Sequence, residues 1–244
     1  MNISMKKAIV TFSALVMSAS SMAAELMSVN EFVSKTYIQG LPYEEALQYN
    51  EVHVPQLKAI LNDYSQSELW PNTIVMLEII GDKEDLGDII RFIERDPGDE
   101  YSIAHERAKN AAIYGLGYFI NHTKSKKALR YLVASLDEET WTKRNVRGLG
   151  KLHKTEGERN ADFSKYAMLG LALSGEYEAI SELKRFKSRK TLKMQKAGKA
   201  KSQQTRFERI AETALDEGGK INKKGLKAYY KQQHQHEHDG HDHH

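Results

Sequence analysis

Histidine is the residue type with the most chemistry on offer in this chain. Six of the ten histidines, His234, His236, His238, His241, His243 and His244, fall in the last eleven positions. Neutral imidazole ligates zinc, nickel and copper, and Glu237, Asp239 and Asp242 stand among the histidines to complete a first or an outer shell. Ligands every second residue cannot converge from one rigid helix, where a spacing of three or four is needed. The pattern therefore predicts a disordered tail that wraps an ion and chooses loosely among those metals. No cofactor is required elsewhere. The tail histidines alternate with Gln, Glu, Asp and Gly, which an appended purification tag would not do.

Other chemical motifs start and then fail. His105-Glu106 opens a zinc-protease pattern, but Lys109 stands where the second histidine belongs. Gly148-Leu149-Gly150 opens a dinucleotide fingerprint, but His153 replaces the third glycine and no strand precedes it. The chain has no cysteine nucleophile and no serine in a Gly-x-Ser-x-Gly elbow. Asp137-Glu138-Glu139 has nothing nearby to set one carboxyl against another. His53, His105, His122 and His153 are spread one per element and read as surface or boundary residues. These absences predict a binding protein and not an enzyme.

A second candidate site is an interaction surface. Between 137 and 162 the helical pattern lapses for 26 residues, and a loop of that length in a compact domain is functional or disordered. It carries Trp141 beside Lys143, Arg144 and Arg147, an aromatic anchor among cations, which is the composition enriched at binding hot spots. Two readings of Trp141 stay open: an anchor for a partner, or a pin that holds the insertion on the body. A protein partner is expected, to be met by the inner helices and this insertion.

The elements that must position these residues are helices. Lys6 and Lys7, the apolar run Ala8 to Val16 and Ser21-Met22-Ala23 read as a cleaved export signal over 1–23, which predicts a periplasmic or secreted protein. No later stretch reaches the roughly 20 apolar residues of a membrane span. Residues 24–100 hold 16 acidic and 5 basic side chains, whereas Lys184 to Lys231 hold 4 acidic and 16 basic. This polarity allows head-to-tail self-association, or contact of the basic end with anionic partners such as lipid headgroups. Nucleic acid is not expected, because an exported protein rarely meets it.

Apolar residues recur every three or four positions in nearly all of the mature sequence, so the chain reads as all-α. Pro55 and Pro71 open two helices in the favourable first turn. Ile80-Gly81-Asp82, Asn121-His122-Thr123 and Ser174-Gly175-Glu176 read as equivalent turns, each with a Gly or Asn able to take the left-handed conformation. They divide the chain into four helix pairs, 55–80, 84–120, 124–174 and 176–217, after an N-terminal helical cap over 24–54. A basic extension over 218–233 leads to the tail. Successive pairs that bury their faces only on their neighbours make an α-solenoid.

The stretch Leu77-Glu78-Ile79-Ile80-Gly81-Asp82, then Ile89, Ile90, Phe92 and Ile93, then Arg107 to Gly117, resembles the short bacterial HEAT repeats of phycobilisome-lyase-like proteins. That resemblance implies a superhelix of HEAT-like pairs and a binding role, without lyase activity. Ala111, Ala112, Gly115 and Gly170 are read as small residues that let helix axes approach. A polar stretch from Lys187 to Lys201 reads as a flexible link between the last two helices.

Overall fold

The computed structural model describes residues 26–38, 40–96, 102–146 and 148–239, and for 233–239 the backbone alone. The proposed export signal lies outside the described residues. Within them the chain is all-helical: α1 (Val29–Ser34), α2 (Tyr43–Ala46), α3 (Val54–Asn62), α4 (Trp70–Ile80), α5 (Leu86–Glu94), α6 (Ile103–Thr123), α7 (Lys126–Ala134), α8 (Glu138–Lys143), α9 (Glu156–Ser174), α10 (Tyr177–Lys196), α11 (Lys201–Lys224) and α12 (Leu226–Asp239).

Local chemistry sets most of the starts. Ser102, Ser125 and Thr155 accept from backbone N–H groups in the first turns of α6, α7 and α9, and Asp137 does so for α8. Pro55 and Pro71 sit in the first turns of α3 and α4. The turns differ from one another more than their sequences suggest. Gly175 is left-handed at φ 62° and ends α9 as expected. Gly81 is extended, and its lack of a side chain serves a close approach instead, because a Cβ there would lie 2.6 Å from the Leu77 carbonyl oxygen. Asn121 stays inside α6, and the left-handed residue is Lys124 at φ 54°.

Packing follows a regular order. The pairs α3 with α4, α5 with α6, α7 with α9, and α10 with α11 are each in contact, and α4, α6, α9 and α11 touch one another in sequence. Along that row Trp70, Ile74, Leu77, Ala112, Leu116, Phe119, Ala167 and Leu171 are fully buried. At the α6–α9 crossing, a Cβ on Gly117 of α6 would lie 2.3 Å from the Gly170 oxygen of α9. Side chains also tie the helix ends. His122 Nε2 lies 2.6 Å from the Gly81 carbonyl at the end of α4, and Asn121 and Asn222 donate to the last carbonyls around α9, Ser174 and Gly175.

The ends of the described chain close on the body. Asn72 of α4 donates to the Val33 and Lys35 carbonyls at the end of α1. α12 turns back across α11 to reach α2. There Tyr230 stacks on Tyr43, at 5.3 Å between ring centroids, and meets Tyr118 of α6.

Candidate binding site on the basic helical hairpin

The insertion is partly helical. Asp137 caps α8, and Trp141 in that helix is completely buried. Its indole N–H donates to the Ser135 carbonyl at 3.1 Å, and its ring packs edge-on to Phe163 of α9. Of the two readings of Trp141, the structure is that of a pin: the indole is not presented to a partner. Arg144 is also inward. Its guanidinium lies over the Tyr131 ring, 3.8 Å from the centroid, and donates to Ser135 Oγ and the Tyr131 carbonyl. Lys143 is exposed, and Arg147 lies outside the described residues. The four residues therefore do not form one presented patch: two of them fasten α8 to α7 and α9.

The rest of the insertion is fixed by a buried polar node that periodicity does not reveal. His153, expected at the surface or at a boundary, is 9 % exposed, with Nε2 2.9 Å from Asp162 and Nδ1 3.4 Å from Glu106. Glu106 also accepts from the Leu152 N–H at 2.8 Å. Arg159, 1 % exposed, donates to the Gly148 carbonyl and to Asn160. His105 is buried edge-on against Trp70, and burial followed by the nearby charges of Arg95 and Lys109 pushes its pKa down. Lys109 donates to the Arg95 carbonyl at 2.6 Å. Burial, reinforced by the Arg95 and Arg159 charges, pushes that ammonium down to about 7. Both carboxylates facing His153 thus serve to hold the loop.

The presented charge is elsewhere. The stretch Lys187 to Lys201, read above as a flexible link, is helix on both sides of a short turn at Ala197 to Ala200, with Gly198 left-handed at φ 62°. Lysine and glutamine favour helix without needing a stripe to bury, which explains why periodicity missed these turns. The result is an antiparallel hairpin of α10 and α11. From Lys184 to Arg209 it carries 11 basic residues and 1 acidic residue. Lys187 pairs with Glu212, Lys190 with Glu138, and Arg185 with Glu182. Lys184, Arg189, Lys193, Lys196, Lys199, Lys201, Arg206 and Arg209 make no ion pair among the described residues.

Two cavities flank the root of the hairpin. One, of about 500 Å³, lies between α8 and α10, with Asp137, Glu138 and Glu139 facing Arg189, Lys190 and Lys193. The other, of about 330 Å³, lies between α9, α10 and α11. The 2.6 Å Lys190–Glu138 ion pair borders both. The insertion therefore borders the first of these cavities through the acidic start of α8 and not through its basic residues. In sequence Phe186 and Phe207 were the available signal for this site, two lone aromatics in a polar, basic stretch. They meet across the hairpin at 6.0 Å between ring centroids.

The proposed metal ligands divide into two groups. The backbone of Leu226–Asp239 is helical, so His234, His236 and His238 lie in α12, with positions 234 and 238 one turn apart. His241, His243 and His244 lie outside the described residues.

Comparison of the chain with protein-family models, with curated proteins and with solved structures gives no match in any of the three.

Proposed function

We propose that this chain is an exported, non-enzymatic adaptor of HEAT-like helix pairs that holds an acidic protein partner against the α10–α11 hairpin. The observation that carries the reading is the hairpin itself: eight exposed cations with no ion-pair partner among the described residues, carried on the two helices α10 and α11 and the turn between them. A cationic surface of this kind steers and selects a partner of opposite charge, with an effect that salt screens. The solenoid part of the proposal is supported by the order in which α4, α6, α9 and α11 touch, each backed by its own outer helix. Export is supported by the leader-like residues Lys6, Lys7, Ala8 to Val16 and Ser21-Met22-Ala23. The test places a photo-crosslinking residue at Leu192, an exposed apolar position on α10, in protein exported to a bacterial periplasm. One discrete, salt-sensitive adduct is expected, and it should disappear when Lys193, Lys196 and Lys199 are changed to Glu. Adducts that survive the charge reversal refute the reading.

A second reading, metal handling by the histidine tail, rests on the density of imidazoles between 234 and 244. Deleting the tail separates the two, since partner capture at Leu192 does not need it.

A further inference from the structure

We infer that the smaller cavity at the root of the hairpin is a binding site for a small amphipathic carboxylate, the anion of a medium-chain fatty acid. This goes beyond partner binding and does not depend on it. The argument begins with shape and lining. The cavity of about 330 Å³ lies at the small end of the roughly 300–1,000 Å³ range of ligand pockets. Met168 of α9, Phe186 of α10, and Phe207 and Ile210 of α11 give it an apolar wall. The two rings stand edge to face at 80°, a favourable aromatic arrangement.

Charge at the rim then selects the sign of the ligand. Two carboxylates reach the cavity and both are committed: Asp162 to His153 at 2.9 Å, with Lys165 3.9 Å away, and Glu138 to Lys190 at 2.6 Å. Of the three cations, Lys165 and Lys190 are the partners of those acids. Arg206 remains, exposed at the mouth, with no ion pair among the described residues. One unmatched guanidinium beside an apolar wall suits one monoanionic headgroup, and its planar fork matches a carboxylate in two parallel hydrogen bonds.

A third observation is independent of the first two. Ser164 of α9 lines the same cavity, is 6 % exposed, and its Oγ has no hydrogen-bond partner among the described residues. A buried hydroxyl left unmatched is costly, and a ligand oxygen entering from the cavity would satisfy it. A head that reaches both Arg206 and Ser164 leaves its tail against Phe186, Phe207 and Ile210. Neutral alkanes lack the first interaction, and small hydrophilic anions lack the last.

The test is calorimetric titration of the full mature chain with sodium octanoate, with 1-octanol and acetate as controls. Saturable octanoate binding is expected, with the alcohol and acetate each at least about tenfold weaker. Arg206→Gln should weaken octanoate about tenfold and leave the alcohol unchanged. Ser164→Ala should weaken octanoate with the fold intact by circular dichroism. The inference is overturned by folded protein that shows no saturable octanoate binding, by an Arg206→Gln variant that binds it equally well, or by a leucine-ended acidic peptide that saturates the cavity where octanoate does not.

Discussion

The hydroxyl oxygens of Tyr118 on α6 and Tyr230 on α12 lie 2.7 Å apart, and this bond fastens α12 to α6, which itself packs on α4 and α9. Tyr43 of α2 stacks on both rings, each at 5.3 Å between centroids. Three elements far apart in sequence therefore share one aromatic cluster, and burial pushes the Tyr118 and Tyr230 hydroxyls above the ordinary phenol range.

Tyr230 should accordingly be the residue that closes the chain on itself. Removing only the hydroxyl, Tyr230→Phe, should cost about 1 kcal/mol, the net worth of one hydrogen bond. Removing the ring, Tyr230→Ala, should cost about 2 kcal/mol or more, because the stacking on Tyr43 goes with it. Truncation after Gly225 should match or exceed the alanine loss, whereas truncation after Gln233 should leave the melting temperature unchanged. Thermal unfolding followed by circular dichroism reads all four. An alanine variant as stable as the parent would mean that α12 is not seated on α6.

The α6–α9 crossing makes a sharper prediction. A methyl group at Gly117 would sit 2.3 Å from the Gly170 oxygen and 2.7 Å from Leu173 Cβ, both atoms of or next to backbone that cannot step aside. Gly117→Ala should destabilise by about 2–3 kcal/mol, the cost of overpacking a tight core contact. Gly219→Ala in α11 is the control: an added Cβ there meets nothing within 4 Å. It should stabilise by up to about 1 kcal/mol through helix propensity. Chemical denaturation of the two variants should move in opposite directions, and a neutral Gly117→Ala would show that the two helices stand further apart.

The helices that carry an apolar stripe were legible in the sequence: Pro55 and Pro71 lie in the first turns of α3 and α4, and Gly175 ends α9. Where the sequence misled, burial was decided by tertiary partners. Trp141 in a basic segment looks like an exposed anchor until Phe163 and the Ser135 carbonyl, both on other elements, are brought to it. Arg159 and His153 look like solvated loop residues until Glu106 and Asp162 converge on the loop. Lys187 to Lys201 reads as a link because a helix exposed on most sides has no stripe to show.

Glu78 gives the chain a pH dependence of known sign. Its carboxyl, on α4, is fully buried, and neither oxygen has a hydrogen-bond partner among the described residues. It fits only because the facing residue on α6 is Gly115, where a Cβ would fall 1.8 Å from Oε2. Burial raises its pKa well above the ordinary 4.5. The folded chain then keeps a proton that the unfolded chain has lost. The contribution of this group is most favourable below about pH 4.5, declines as pH rises toward the raised folded value, and levels off above it. Glu78→Gln cannot ionise and removes that slope. The variant should gain melting temperature over the parent as pH goes from 5 to 8; parallel profiles would mean that the carboxyl is stabilised as an anion.

The histidine tail carries the last prediction, and the helical backbone of α12 sharpens it. Positions 234 and 238 are one turn apart along α12, the spacing at which two ligands can share an ion on a helix, whereas position 236 is out of register with both. Recruiting 236, or the histidines beyond Asp239, requires the end of α12 to unwind. Saturating zinc, nickel or copper should therefore reduce helical ellipticity while Tyr230, nearer the helix start, keeps its seat. Ordering the tail around the ion has an entropic cost, so affinity should be moderate and rank copper strongest. Uptake should fade as pH falls through about 6.5, since a protonated ring cannot ligate. Calorimetry on the mature chain and on a version ending at Gln233 decides the matter, because equal uptake by both places the metal away from these histidines.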